Sequence, residues 1–115
     1  MLLVSLIALA ALPAMAGKKK PPPYALIIGT VYGPDERPLY GVPVKIRRAQ
    51  DKKPRWELMS DHRGEFAQRV PPGPADYIIS TDFRLEGKKK GQKPTEVRVR
   101  VEGDERVDTG LHLTE

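Results

Sequence analysis

The segment Ser60-Asp61-His62-Arg63-Gly64-Glu65-Phe66-Ala67-Gln68-Arg69-Val70, continued by Pro71-Pro72-Gly73-Pro74-Ala75-Asp76-Tyr77-Ile78-Ile79, leaves few folds open. Ser60 and Asp61 start a turn with an Asx-type cap, and Gly64 supplies the residue free to take a positive φ at its end. From Gly64 to Val70, Phe66 and Val70 fall on one side while Glu65, Ala67 and Arg69 fall on the other, the period-two habit of a half-buried strand. Pro71-Pro72-Gly73-Pro74 stops that strand, and Tyr77-Ile78-Ile79 opens a new apolar run. The segment predicts turn, strand, loop and strand, with the two strands neighbours in one antiparallel sheet.

The rest of the chain repeats this grammar. Twelve prolines and ten glycines in 115 residues argue for many turns and against long helices. Tyr24 to Tyr32 is a strand with Ile27, Gly29 and Val31 on one face and Ile28, Thr30 and Tyr32 on the other. Gly33 to Pro38 is a turn in which Pro34 and Asp35 suit the two central positions of type I. Val42, Val44 and Ile46 alternate with Pro43, Lys45 and Arg47 in a second strand; Pro43 lacks a donor, which places it at a sheet edge or beside a bulge. After the charged loop Gln50 to Pro54, Arg55 to Met59 is a strand with Trp56 and Leu58 sharing a side. Arg84 to Lys93 carries too little apolar surface to pack and is expected to be a mobile cationic loop. Val97, Val99 and Val101 then point inward against Glu96, Arg98, Arg100 and Glu102. After the turn Gly103-Asp104-Glu105, Val107, Thr109, Leu111 and Leu113 share one face of the last strand. Seven short strands at this spacing predict an all-β fold, a seven-stranded antiparallel β-sandwich of immunoglobulin-like architecture.

Residues 1–16, MLLVSLIALAALPAMA, form an apolar run ending in Ala14-Met15-Ala16, the small-x-small pattern cleaved by signal peptidase, here before Gly17. It is shorter than the ~20 residues a spanning helix needs, and Pro13 interrupts it. A signal peptide is therefore expected, with the mature chain periplasmic or secreted and without a membrane span after cleavage. Residues 17–24 are a solvated Lys/Pro-rich linker, stiffened toward polyproline II by Pro21, Pro22 and Pro23. Residues 25–115 are one domain. The chain has no cysteine, so disulfides, thiolate metal sites and a cysteine nucleophile are excluded. It also has no asparagine, which excludes N-glycosylation. The formal net charge of +5 favours anionic neighbours in general.

Three patches carry a likeness. They are Ile27-x-Gly29-x-Val31 followed by Pro38-Leu39-x-Gly41-Val42-x-Val44, then Ser60-Asp61-x-x-Gly64-x-Phe66, then Pro71-Pro72-Gly73 leading to Tyr77-x-Ile79. In these the chain, from about Ala25 to Leu113, resembles the carboxypeptidase regulatory-like family, transthyretin-like sandwich domains of secreted bacterial proteins. Gly29, Gly41, Asp61, Gly64, Phe66, Gly73 and Tyr77 are the frame positions of that likeness. Two features depart from it. Glu36 stands where the family has a glycine two places before Pro-Leu, and Pro74-Ala75-Asp76 lengthens the step from Gly73 to Tyr77. The resemblance implies a non-catalytic sandwich, with no cofactor, that binds or scaffolds at the cell envelope.

The residues offer two binding surfaces. Sandwiches of this kind hold sugars on exposed aromatic rings, and Trp56, Tyr32 and Tyr40 are the candidates, Trp56 with the competing option of packing inward beside Leu58. The other surface is basic: Lys88, Lys89, Lys90 and Lys93, joined by Arg98 and Arg100, would meet an anionic partner. No aromatic platform accompanies these lysines, so a specific nucleic acid is not expected. The expected partner is a protein or glycan of the envelope. Catalysis is harder to assemble: His62 lies in a turn, His112 faces away from Leu111 and Leu113, and both are expected to be solvated. Neither the H-E-x-x-H pattern nor a third ligand at metal-site spacing occurs. Hydrolases of the transthyretin fold use a His/Arg cluster and a Tyr-Arg-Gly-Ser-type ending, whereas this chain has Leu113-Thr114-Glu115; such a hydrolase is the distant alternative.

Overall fold

A computed structural model describes residues 23–84 and 94–114. The expected signal peptide, most of the linker and most of the cationic loop, with Lys88, Lys89, Lys90 and Lys93, lie outside the described residues. Seven strands follow in order: β1 Ala25–Tyr32, β2 Pro43–Arg48, β3 Trp56–Met59, β4 Glu65–Val70, β5 Ala75–Thr81, β6 Thr95–Val101 and β7 Arg106–His112. They form a three-stranded sheet β4-β1-β7 and a four-stranded sheet β3-β2-β5-β6. The all-β, two-sheet sandwich is thus the observed architecture. Among the described residues no helix is long and apolar enough to cross a membrane.

The alternation of the sequence decides the core. Ile27 and Val31 of β1, Val44 and Ile46 of β2, Phe66 and Val70 of β4, Tyr77 and Ile79 of β5, Val99 and Val101 of β6 and Leu111 of β7 meet between the sheets. Trp56, Leu58, Val97 and Val107 pack against that cluster half-buried. Burying these apolar faces is the main term that holds the two layers together.

Two expectations are corrected. β4 and β5 are not neighbours in one sheet: β4 pairs with β1, while β5 sits between β2 and β6. The loop Pro71 to Pro74 therefore carries the chain across the sandwich, and its three prolines and one glycine resist the two-residue turn a direct hairpin would need. Nor is every pairing antiparallel. β1 and β7 run parallel, Leu26 opposite Arg106 through Tyr32 opposite His112, because β6 delivers the chain from the other sheet at the end where β1 also begins.

Local turn chemistry follows the sequence. The Glu36 N–H donates to the Gly33 carbonyl at 2.9 Å, placing Pro34 and Asp35 in the centre of the turn. Glu36 itself takes φ 65°, so a glutamate occupies the left-handed conformation that the resembled family fills with glycine. Asp61 Oδ1 accepts from the N–H groups of Arg63 and Glu65, each at 2.9 Å, and Gly64 has φ 76°. Pro43 is the first residue of β2, opposite Met59 and ahead of Lys45, where pairing with β5 begins; an inner strand thereby tolerates its missing donor. Buried Ser60 ties β3 to the crossover, its hydroxyl donating to the Leu39 carbonyl at 2.7 Å and accepting from the Val42 N–H at 2.9 Å.

Candidate functional site

The strand directions sort the candidate residues to opposite ends. One end carries the crossover Gly33 to Gly41, the turn Ser60 to Gly64, the point where the basic segment leaves β5 and rejoins β6, and His112. The other carries the β2–β3 loop, Pro71 to Pro74, the start of β5, the end of β6 and the Gly103 turn.

At the first end two tyrosines stack on two histidines. Tyr32 and His112 lie nearly parallel at 16° with centroids 4.8 Å apart. His112 Nδ1 also approaches Glu36 Oε1 at 3.2 Å, so this imidazole is exposed but engaged. Tyr40 meets His62 at 4.4 Å and 33° and is 66% exposed. His62 thus backs one side of an aromatic ring that still presents a broad apolar surface to water. Asp61 beside it is held below the ordinary carboxyl value of 3.8, first by the Glu65 backbone N–H and then by that of Arg63, and stays a carboxylate acceptor. Trp56 does not join this surface. It packs half-buried against the core, 6.1 Å from the Tyr77 ring and tilted by 53°.

The basic surface is split. Arg100 stands five residues beyond Thr95, about 17 Å at ~3.3 Å per strand residue, so it lies far along β6 from the point where the basic segment rejoins the fold. Arg98 and Arg100 are instead clamped by Asp76 of β5: Arg98 Nη2 lies 2.8 Å from Oδ2 and Arg100 Nη1 3.3 Å from Oδ1. Arg100 Nε also donates to Glu102 at 3.0 Å. The Arg98 hydrogen bond, followed by that of Arg100, holds the Asp76 carboxyl low, while Glu102 and then Asp76 raise the Arg100 guanidinium. These arginines open onto a hollow of about 500 Å³ that Arg48 completes from β2. A second hollow, about 370 Å³, lies at the free edges of β3 and β4 over Ile28, Leu58 and Ala67. Among the described residues no group of three or more His, Cys, Asp or Glu side chains could hold a metal ion.

No protein-family model matches the chain, and no curated protein matches it. Solved structures do. A 5-hydroxyisourate hydrolase of Klebsiella pneumoniae superposes with a TM-score of 0.57 at 13% identity, over 79% of this chain and 92% of that one. A candidate carbohydrate-binding protein of Pseudomonas aeruginosa gives 0.57 at 15% identity, over 88% and 96%. A DUF3823 family protein of Parabacteroides merdae gives 0.56 at 16%, over 82% of this chain and 47% of that one. At such identities the likeness is one of fold, and the chain is a transthyretin-like β-sandwich.

Proposed function

We propose that the protein is an exported, non-catalytic β-sandwich of the carboxypeptidase regulatory-like kind that binds or scaffolds at the cell envelope, with carbohydrate received on Tyr40. The observation that carries this reading is the exposed Tyr40 ring backed by His62, beside the ionised acceptor Asp61. An apolar ring face with a flanking carboxylate is the arrangement that holds a sugar, whose C–H face stacks while its hydroxyls donate. The fold likeness to a candidate carbohydrate binder is in keeping with it. Both imidazoles are occupied by ring stacks, which supports binding over hydrolysis. The apolar run ahead of Gly17 supports export.

The test is a glycan array followed by titration of the retained glycans into the mature protein and its Tyr40→Ala variant. The expected result is retention of at least one envelope glycan, lost in Tyr40→Ala while the melting temperature stays put. Failure of every glycan to bind, or equal binding by Tyr40→Ala, overturns the site. Turnover of an ester, peptide or ureide panel above buffer would overturn the non-catalytic reading, and a mature N-terminus far from Gly17 would overturn export.

A further inference from the structure

The order β4-β1-β7 leaves one side of β4 without a neighbouring strand, and the register tells which backbone groups look that way. The Val31 N–H donates to the Gly64 carbonyl at 2.8 Å, and an antiparallel ladder bonds at every second residue. Phe66, Gln68 and Val70 therefore turn their N–H and C=O groups to β1, while Glu65, Ala67 and Arg69 turn theirs to the open side. Part of this row is already covered. The Glu65 N–H donates to Asp61 Oδ1 and the Glu65 carbonyl accepts from the Asp61 N–H, each at 2.9 Å. The Arg69 carbonyl accepts from Gln68 Nε2 at 2.8 Å. Among the described residues a window stays open between these covers: the N–H and C=O of exposed Ala67 and the N–H of Arg69. Neither a proline nor a bulge interrupts β4, the devices that ordinarily spoil an edge for pairing.

We propose that the open side of β4 receives a short extended peptide of a partner protein, added as a strand on Ala67 and carrying a basic residue at the Asp61 and Glu65 end. The hollow of about 370 Å³ along the free edges of β3 and β4 is the space that strand fills. Its lining suits a strand in particular. Ile28, opposite Ala67, belongs to the outer face of the three-stranded sheet, whereas Leu58 packs toward the core from the inner side. Side chains of an added strand alternate between those same two faces, so one reaches Ile28 and the next reaches Leu58. Asp61 and Glu65 also line the hollow and give it negative charge, which a lysine or arginine complements. Arg69 is engaged elsewhere, its guanidinium carbon 4.5 Å from the centre of the Tyr24 ring. A second copy fits less well. Pairing Ala67 with its own copy would set each Arg69 against a Glu65 whose edge Asp61 already occupies. The proposal does not rest on the carbohydrate reading of Tyr40.

The test is an NMR titration of the mature chain with a capped peptide of alternating valine and threonine. One lysine stands near its C-terminal end, where antiparallel pairing sets it beside Glu65. The Ala67 and Arg69 amide signals are expected to shift as their N–H groups gain acceptors. The same peptide with glutamate in place of lysine should bind more weakly, and added salt should narrow the difference. Methylating the peptide nitrogen that faces the Ala67 carbonyl should weaken binding about tenfold or more, the scale for leaving one hydrogen-bond partner unsatisfied. Moving the methyl to the next nitrogen, on the far edge of the peptide, should cost much less. Ala67→Pro, tolerated where the N–H faces away from the ladder, is expected to abolish the binding in a folded protein, and Tyr40→Ala to leave it unchanged. If Ala67→Pro does not fold, the two methylated peptides decide alone. The proposal is overturned if the Ala67 and Arg69 signals stay in place, if the methylated peptides bind alike, if the glutamate peptide binds as tightly, or if folded Ala67→Pro binds as the parent does. Dimerisation of the peptide-free chain that Ala67→Pro abolishes would also overturn it, by making a second copy the occupant.

Discussion

Gly29→Ala is the sharpest test of the packing. Gly29 of β1 lies opposite Phe66 of β4, and the ring, 4% exposed, lies across the glycine. A Cβ built at position 29 would stand 2.7 Å from Phe66 Cε2 and 3.0 Å from Cε1, closer than carbon atoms approach without a shift. The ring would have to leave its rotamer or push β4 outward, an overpacking cost of about 1–3 kcal/mol. Alanine recovers about 0.4–1 kcal/mol by restricting the unfolded chain. The net loss is about 1–2 kcal/mol, or a melting temperature lower by about 5–15 °C for a domain of this size. Urea denaturation of Gly29→Ala, Phe66→Leu and the double variant measures it. Because leucine vacates the space the new methyl needs, Gly29→Ala should cost less in the Phe66→Leu background than alone. Parental stability for Gly29→Ala, or the same cost in both backgrounds, would refute the aromatic ring as the reason for a glycine there.

The remaining predictions concern the turn after β3. Ser60→Ala leaves the Val42 N–H and the Leu39 carbonyl without their buried partner and is expected to cost about 1–3 kcal/mol in urea unfolding; a loss below about 0.5 kcal/mol, the range of ordinary surface changes, would mean the hydroxyl is dispensable. Asp61 titrates lower folded than unfolded because two backbone N–H groups donate to it. Its stabilisation is therefore complete above the ordinary value of 3.8 and drains away as the pH falls through the lower folded value. The stability gap between the parent and Asp61→Asn should narrow in acid below about pH 4, and a gap that holds constant across that range in thermal melts would contradict the capping role.

The faces of the strands were legible from the residues because a strand writes its burial in period two: Val42, Val44 and Ile46 or Val97, Val99 and Val101 cannot point inward in any other register. The turns were legible because Asp61, Gly64, Pro34 and Asp35 each act on their own backbone. What period two does not encode is the identity of the partner strand, which is why β4 and β5 read as a hairpin although they belong to different sheets. β1 is the central strand of its sheet, and its parallel partner β7 lies at the far end of the sequence, beyond the reach of any local pattern. The same limit applies to the candidate sites. Arg98 and Arg100 stand out as charges, but the Asp76 clamp on them is made across strands, as are the imidazole stacks on Tyr32 and Tyr40.

The parallel pairing of β1 with β7 joins Leu26 to Arg106, 80 positions later in the chain. Closing so long a circuit costs entropy before any reward arrives, and topologies of this kind fold in milliseconds to seconds rather than microseconds. The three-stranded sheet cannot be completed until β7 is free to dock. For a polypeptide threaded through a membrane from its leading end, as proposed, that delay is useful: the domain stays pliable in transit and locks only after its trailing strand has come through.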